Sequence, residues 1–306
     1  MSVADILKER MAFSFEVFPP KTDAGMQKLC GEGGVLDHLY DLNPDYISCT
    51  YGAGGTNVGK NLEVLDKIQK DGKSIPVTHF TCVANTKEGI KEQLQTYLDH
   101  GINHMLALRG DIPFGWTGTG GDLHYATELV KFTRKTFGDK FTIAVAGSPE
   151  GHLACRSIEA DISFLKQKQD EGADYIMTQL CWDMDQFRWW LDAIRAAGVY
   201  MPVDVGIMPV LDIAATINMA LSRNGCVMPQ GAGGDHLQAL DLPQSLRPRR
   251  ERGIHRCEEG RLQGGRHGLH HRPDRRIQGL RHRRHPPVRA EQVRGRHPAH
   301  EGVRHR

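Results

Sequence analysis

Two features of secreted and membrane proteins are missing from this 306-residue sequence: closely spaced cysteine pairs and long apolar runs. The seven cysteines are scattered without a Cys-x-x-Cys pair, which argues against a disulfide framework or a zinc site. No apolar run reaches the roughly 18 residues that a membrane span needs, and the N-terminus lacks the apolar core of a secretory signal. We therefore expect a cytoplasmic protein with reduced thiols, no metal site and no membrane partner.

The last 77 residues, Gln230 to Arg306, lack Lys, Thr, Asn, Met, Phe, Tyr and Trp altogether. They carry 18 Arg, 10 His and 8 acidic residues, a formal charge of +10, whereas residues 1–229 carry 21 basic and 29 acidic residues, a charge of −8. A segment with so little apolar surface cannot offset the entropy that is lost on ordering. The composition predicts a folded domain over 1–229 and a disordered basic tail over 230–306.

Three interpretations of this tail are open. Its arginines favour non-specific phosphate binding, which would make the chain a non-enzymatic nucleic-acid-binding protein. Its histidines are compatible with metal binding, but they have no regular ligand spacing. The interpretation that we favour is a frameshift near Pro229, because Arg, Gly, Pro, Ala and His have GC-rich codons and the absent Lys, Asn, Phe, Tyr and Met have AT-rich ones. On that hypothesis we expect no specific nucleic-acid partner.

Short β-rich runs alternate with helical patterns through residues 1–229, at the spacing of one strand–helix–strand unit. Asn61–Lys70 and Lys87–His100, for example, repeat apolar residues every three or four positions, as amphipathic helices do. Alternating strands and helices indicate a mainly parallel sheet. The predicted strands are Phe13–Phe18, Tyr46–Thr50, Val77–Cys82, His104–Leu108, Phe141–Ala146, Tyr175–Leu180 and Val203–Met208.

Polar side chains accompany the C-terminal end of nearly every predicted strand. A barrel gathers all such ends around one mouth, whereas an open doubly wound sheet uses one switch point. We therefore predict an α/β fold, a (β/α)8 TIM barrel that is incomplete, with about seven recognisable units. The polar residues are Glu16, Thr50, His79, Arg109 with Asp111, His152, and Gln179 with Asp183.

One loop nearly fits a phosphate-binding motif. Gly54–Asn61 reads GGTNVGKN, close to G-x-x-x-x-G-K-[ST]. However, Asn61 replaces the hydroxyl residue that would ligate Mg²⁺, and no convincing second carboxylate motif follows. A P-loop NTPase is therefore a weaker alternative.

Glu16 lies in the aromatic and aliphatic stretch FSFEVFPP. Desolvation there should raise the pKa of its carboxyl group. A carboxyl group that stays protonated near neutral pH suits a general acid. A carboxylate that is merely salt-bridged at the barrel rim is the structural alternative.

Nine stretches between about Phe13 and Val210 match one known family, in family order: FEVFPPKT, SCTYGA, HFTC, ALRGD, YATELV, SPEGH, EADISFLKQK, DYIMTQLCWD and GIMPV. On these residues the chain resembles the bacterial methylenetetrahydrofolate reductases. The resemblance implies a flavin-containing (β/α)8 barrel in which NADH or NADPH reduces FAD. 5,10-Methylenetetrahydrofolate then takes the hydride in a ping-pong reaction and becomes 5-methyltetrahydrofolate. It also implies a folate substrate and a homo-oligomer in the intact family.

The resemblance assigns roles to individual residues. Glu16 matches the acid that protonates the folate and opens its methylene bridge to an iminium, and Asp111 matches the carboxylate that stabilises this cation. Gln179 matches a residue that contacts folate and nicotinamide in turn, whereas Arg109 and Lys168 suit the FAD diphosphate. The flavin-contacting positions are Thr50, Tyr51, Ala53, His79, Arg109, Gly110, Asp111, Ala126, His152, Asp161 and Lys168.

Four positions depart from the family pattern. Ser148 stands where some relatives place a flavin-contacting Tyr, and Phe164 stands where some place an Asn. Gln167 replaces a basic neighbour of Lys168, and Ala215 replaces a folate-contacting Gln.

The larger departure is at the C-terminal end. After the helix-like Ile213–Leu221 the family continues to a final aromatic strand and an Arg that grips substrate, and nothing of this kind follows Pro229. A barrel without one strand exposes two sheet edges. We therefore expect this chain to fold poorly or to have little reductase activity.

Overall fold

The computed structural model describes residues 1–51, 58–209, 211–221 and 226. These residues belong to one compact unit, Met1–Pro248. A second unit, Arg249–Arg306, lies outside the described residues, as does the whole predicted tail. No helix in the described ranges is long and apolar enough to cross a membrane.

Strands and helices alternate along the described part of the chain. The strands are β1 (Ser14–Val17), β2 (Tyr46–Cys49), β3 (Ile75–Thr81), β4 (His104–Leu108), β5 (Thr142–Gly147), β6 (Tyr175–Thr178) and β7 (Val203–Asp204). The helices are α1 (Val3–Glu9), α2 (Asp23–Cys30), α3 (Val35–Tyr40), α4 (Val58–Asp71), α5 (Lys87–Asp99), α6 (Ala126–Phe137), α7 (Ile158–Asp170), α8 (Met184–Ala196) and α9 (Ile213–Leu221), with a 3₁₀ turn at Gly138–Lys140.

The seven strands of the described part form one parallel sheet in the order in which they occur along the chain. The sheet is curled, because Asp204 on β7 accepts hydrogen bonds from Ser14 on β1 (3.4 Å) and from the Tyr46 hydroxyl on β2. In a flat sheet β7 would be far from both strands, given a spacing of about 4.8 Å between neighbours. The result is a curled half-barrel, which confirms the predicted incomplete (β/α)8 barrel.

The concave face of the sheet is closed at its N-terminal end by α1. Ser2 caps this helix through its hydroxyl, which accepts from Asp5 N at 3.2 Å. Val3 and Ile6 pack against residues that point into the barrel, and Val3 N donates to His104 Nε2 at 3.3 Å. Because α1 covers this end, a ligand of the concave face must enter at the C-terminal ends of the strands. The inward-facing cluster is Val3, Ala4, Ile6, Ala12, Tyr46, Val77, Leu106, Ala144 and Tyr175.

The larger core lies between the convex face of the sheet and the helices. Helix α5 illustrates how the sequence builds it: the Thr86 hydroxyl caps the helix by accepting from Gly89 N at 3.1 Å. Ile90, Leu94 and Tyr97 follow at helical spacing and are buried. Burying each of these large side chains contributes about 1.5–3 kcal/mol, so this layer fixes where the strands end.

Most predicted elements are confirmed, and the last strand differs in length. Asn61–Lys70 lies within α4, and Lys87–His100 corresponds to α5. The predicted strand Val203–Met208 retains its ladder only at Val203–Asp204. Gly206 explains this: its N donates to the Thr178 Oγ1 at 2.9 Å, and a Cβ there would lie 2.6 Å from the Thr178 carbonyl oxygen. The chain therefore turns away from the ladder after Asp204.

Candidate active site

The mouth of the half-barrel gathers the polar residues that the strand pattern singled out. In a parallel sheet all C-terminal ends lie on one edge, and here Glu16 and His79 stand on β1 and β3. Thr50, Arg109 and Gln179 directly follow or lie just beyond β2, β4 and β6. These five residues therefore lie on or directly after the strands of the parallel sheet, towards its C-terminal edge.

Glu16 lies beside His79 inside the barrel. Its Oε2 is 3.6 Å from His79 Nε2, and 47% of the Glu16 side chain is exposed whereas His79 is 8% exposed. Burial raises the pKa of the Glu16 carboxyl group, as the sequence predicted, and burial lowers the pKa of His79 to about 4. At neutral pH His79 is thus uncharged, and the contact is not an ion pair.

A second group of charges surrounds His152 at the mouth. Burial lowers the pKa of His152, with further influence from the charges of Asp161, Arg109, Lys168 and Asp111. Asp161 also accepts a hydrogen bond from His152 N at 3.1 Å. These residues come from the segments that follow β4 and β5, so the fold brings five of the predicted flavin positions within electrostatic range of each other.

Lys168 is the most enclosed cation of this group. Its Nζ donates to the Ala146 carbonyl oxygen at 3.1 Å, next to the end of β5. Burial lowers the pKa of the Lys168 ammonium group, and the negative charge of Asp161 acts in the opposite direction. A cation held in this way is available to an anionic ligand at the mouth.

Gly110 allows the backbone between Arg109 and Asp111 to turn sharply. Its φ is +88°, and a Cβ there would lie 2.6 Å from Val83 Cγ1. Arg109 is fixed by its backbone, since its carbonyl oxygen accepts from Val83 N at 2.9 Å, and by Nε, which donates to the Gly110 carbonyl oxygen at 3.1 Å. Only glycine fits both the conformation and the space.

Three candidate residues lie in the outer core or at the start of a helix. The Tyr51 side chain is buried in the outer core, where its hydroxyl donates to Gln93 Oε1 at 2.5 Å. Ala126 begins α6. Asp183 caps α8 by accepting from Asp185 N and Gln186 N, so this residue has a structural role.

The remaining candidates and departures are placed as follows. Gln179 is half-buried, and its N donates to the Gly147 carbonyl oxygen at 2.8 Å. Ser148 is half-buried at the end of β5, and Phe164 on α7 is 46% exposed. The prediction for Ala53 lies outside the described residues, as does the Ala215 side chain.

Asn61 is a residue whose importance the sequence did not indicate. It is fully buried, and its Nδ2 donates to the carbonyl oxygens of Cys49 and Thr50, both at 3.0 Å. Its Oδ1 accepts from the Thr78 hydroxyl at 3.2 Å and from the Tyr97 hydroxyl at 2.7 Å. The side chain therefore ties the end of β2 to β3 and α5. The available signal was an amide at helical spacing from the apolar residues Val64, Leu65 and Ile68 of α4.

The contacts of Asn61 and Lys60 bear on the phosphate-loop alternative. The Asn61 amide, at the position that would ligate Mg²⁺, is buried and fully hydrogen-bonded. Lys60 Nζ lies 3.2 Å from Asp23 Oδ1 and 3.2 Å from the Lys21 carbonyl oxygen. Both side chains therefore have protein partners, which argues against this alternative, and residues 54–57 of the motif lie outside the described residues.

The family match identifies the chain. The family model described as "Methylenetetrahydrofolate reductase" matches residues 2–257. The chain belongs to this family. The match confirms the resemblance seen in the sequence, and it runs past Pro229, where the amino-acid composition changes.

Individual relatives agree with the family match. Methylenetetrahydrofolate reductase 1 of Schizosaccharomyces pombe is 38% identical over 250 residues, which are 81% of this chain and 40% of that protein. The 5,10-methylenetetrahydrofolate reductase of Pectobacterium carotovorum is 34% identical over 218 residues, covering 71% of this chain and 70% of that protein. The chain thus spans about 40% of the length of the eukaryotic reductases that it matches.

A solved structure supports the fold. It is described as "Uncharacterized protein from Clostridium thermocellum binds two copies of 5-methyl-5,6,7,8-tetrahydrofolic acid", and it matches with a TM-score of 0.57 at 13% identity. The match covers 79% of this chain and 81% of that one. At this identity the likeness concerns the fold alone.

Proposed function

We propose that this methylenetetrahydrofolate reductase family member reduces 5,10-methylenetetrahydrofolate to 5-methyltetrahydrofolate with NAD(P)H as hydride source and FAD as bound cofactor. The observation that carries the proposal is the placement of a desolvated carboxyl group and a group of cations at one barrel mouth. Glu16 supplies the acid, and Arg109 and Lys168 supply the cations. Family membership supplies the substrate class.

The residues at the mouth are chemically suited to a polar, anionic ligand such as FAD. Two buried side-chain atoms on the inner face of the sheet have no hydrogen-bond partner in the described part of the chain: Ser48 Oγ and Thr81 Oγ1. Such atoms point to an absent ligand or water, because unpaired buried polar groups are unfavourable. Lys168 and Arg109 would hold the diphosphate, and the Arg109–Gly110 turn, which has no side chain at Gly110, allows close approach.

The bound flavin would supply hydride chemistry, receiving two electrons from NAD(P)H and passing them to the folate. The chain's own residues prepare the folate to receive them. Glu16 would donate its proton to the bridge nitrogen that leaves, so that the methylene group opens to an iminium. Asp111 would stabilise this cation through its negative charge, and Gln179 would orient nicotinamide and folate in turn, since the two substrates use one site in a ping-pong reaction.

The proposal is tested by single-turnover measurements, which detect the chemistry even when turnover is slow. The purified chain should show flavin absorbance, lose it on anaerobic addition of NADH, and regain it on addition of methylenetetrahydrofolate. Colourless protein that cannot be reconstituted with FAD would overturn the proposal. Salt-sensitive RNA binding by such colourless protein would favour the nucleic-acid-binding alternative.

A variant separates the acid from the cofactor site. In Glu16→Gln the folate step should slow by about 10²–10⁴-fold, because general acid catalysis is lost. Reduction by NADH should change far less, since that step needs no proton from Glu16. Equal losses in both steps would contradict the acid role. Glu9→Gln, an exposed change in α1 remote from the mouth, is the matched control.

A further inference from the structure

His79 faces Glu16 across a gap that a hydrogen bond could close. The two atoms, His79 Nε2 and Glu16 Oε2, are 3.6 Å apart, which is beyond a normal hydrogen bond of about 2.7–3.0 Å. His79 Nε2 is fully buried and has no hydrogen-bond partner among the described residues. This buried nitrogen therefore needs a hydrogen-bond partner, and the nearby ionisable group is Glu16.

The neighbouring strand leaves room for the two groups to meet. Ser48 on β2 pairs directly with Glu16 in the strand register, and it is 1% exposed. Its small side chain lets Glu16 reach across β2 towards β3. The Glu16 side chain is half-exposed, which leaves it more room than the buried His79 ring. A change in the Glu16 torsion angles would bring the two atoms together.

Burial disfavours the charged form of both partners. Burial is the influence that lowers the pKa of His79 and the influence that raises the pKa of Glu16, with no resolved contribution from another charged side chain on either group. The charges of the mouth, Arg109, Lys168 and Asp161, act on His152 instead. Whenever Glu16 is protonated beside this neutral imidazole, its O–H is the donor and Nε2 can be the acceptor.

We propose that His79 is a positioning residue that holds the Glu16 proton between turnovers, with Glu16 alternating between His79 and the substrate. The Glu16 O–H donates to Nε2 in the resting site, and rotation of Glu16 to the mouth presents the same proton to the folate. The proton moves with Glu16, and His79 stays neutral throughout. The catalytic use of that proton rests on the proposed function, whereas the pairing itself does not.

The pairing can be measured without cofactor or substrate. Infrared spectroscopy of the apoprotein reports the protonated carboxyl band of Glu16, which is assigned by its loss in Glu16→Gln, and its midpoint is followed against pH. His79→Phe keeps an aromatic ring but removes the acceptor. The midpoint should then fall by roughly one pH unit, because a hydrogen bond that favours the protonated form is gone.

The outcomes separate hydrogen bonding from burial. If burial alone raised the Glu16 pKa, the apolar Phe ring would leave the midpoint unchanged or raise it, and that result would overturn the proposal. Ser48→Ala is the matched control and should leave the midpoint in place. A fall with Ser48→Ala but not with His79→Phe would transfer the role to Ser48 and reject His79.

A second variant and a kinetic measurement complete the test. If His79→Phe does not fold, as judged by circular dichroism, His79→Met offers a flexible apolar side chain with the same expected fall. In flavin-loaded protein that reduces folate, the rate of the folate step should be measured against pH. Its midpoint should shift in His79→Phe by the same amount as the infrared midpoint. A chain without reductase activity leaves the infrared result intact, so failure of the proposed function and failure of the pairing are distinct outcomes.

Discussion

Replacing Asn61 with Ala removes the amide that joins β2, β3 and α5. Four hydrogen bonds are lost at once: two donated to the Cys49 and Thr50 carbonyl oxygens, and two accepted from Thr78 and Tyr97. Asn61 is fully buried, so water does not replace these bonds without opening the core. We expect Asn61→Ala to be among the most destabilising single changes in the chain.

The loss of stability in Asn61→Ala depends on which of the four bonded groups can find another hydrogen-bond partner. The Thr78 hydroxyl also lies 3.3 Å from the His79 carbonyl oxygen, so it keeps an acceptor. The Tyr97 hydroxyl and one or both carbonyl oxygens are left short of a partner, at about 1–3 kcal/mol for each unsatisfied group. The total is about 3–5 kcal/mol, a large part of the 5–15 kcal/mol typical of a folded domain.

Urea unfolding followed by circular dichroism measures this change. A loss of that size should lower the urea midpoint by roughly 1–2 M. Asn103→Ala is the matched control, because Asn103 is exposed and its backbone bond to Thr142 N persists in Ala. A double-mutant cycle with Tyr97→Phe should show strong coupling. A loss below about 1 kcal/mol for Asn61→Ala would refute the reasoning.

Three other predictions concern the turn at the mouth, the barrel interior and the tail. Gly110→Ala should weaken flavin binding, measured by fluorescence titration, and destabilise the chain by about 1–3 kcal/mol because of its positive φ and the close Val83 contact. Gly118→Ala, which meets open space, should do neither. Asp204→Asn should stabilise the chain at neutral pH, because burial raises the pKa of this carboxyl group and penalises its charged form. The urea midpoints of the variant and the unchanged chain should converge as the pH falls and Asp204 becomes protonated. A shifted nucleotide reading frame near Pro229 should encode a final barrel strand, and a coding sequence without one in either alternative frame would reject the frameshift hypothesis.

The order and type of the main elements follow from local pattern. The runs around Tyr46 and His104 are short, apolar and β-rich, and the segments after them repeat apolar residues at helical spacing. Such signals need no knowledge of the rest of the chain. By contrast, the early end of β7 depends on the contact between Gly206 and Thr178, which belongs to another strand. Contacts between distant residues leave no such periodic signal.

The candidate site was predictable as a set of residues, but not in its geometry. Strand ends predicted that Glu16, His79 and Arg109 would share one mouth. They did not predict that the Tyr51 side chain points into the outer core, or that Asp183 is a helix cap. Each depends on side-chain direction, which the strand pattern constrains only by alternation. The oligomeric state and the low activity of this chain stay predictions.

Near the mouth, buried polar groups on the two faces of the sheet differ in whether they have hydrogen-bond partners. On the outer face, Asn61 satisfies every partner and holds the end of β2 in place. On the inner face, the neighbouring Ser48, His79 and Thr81 each bury a polar atom without a partner in the described residues. Each such atom is unfavourable for folding alone, yet three occur on β2 and β3. Ser48 pairs with Glu16 in the strand register, and His79 and Thr81 lie further towards the C-terminal end of β3. Because the Asn61 hydrogen bonds hold the outer layer in place, polar atoms of the inner layer can stay without protein partners. These atoms can then bind a polar ligand or take part in proton transfer.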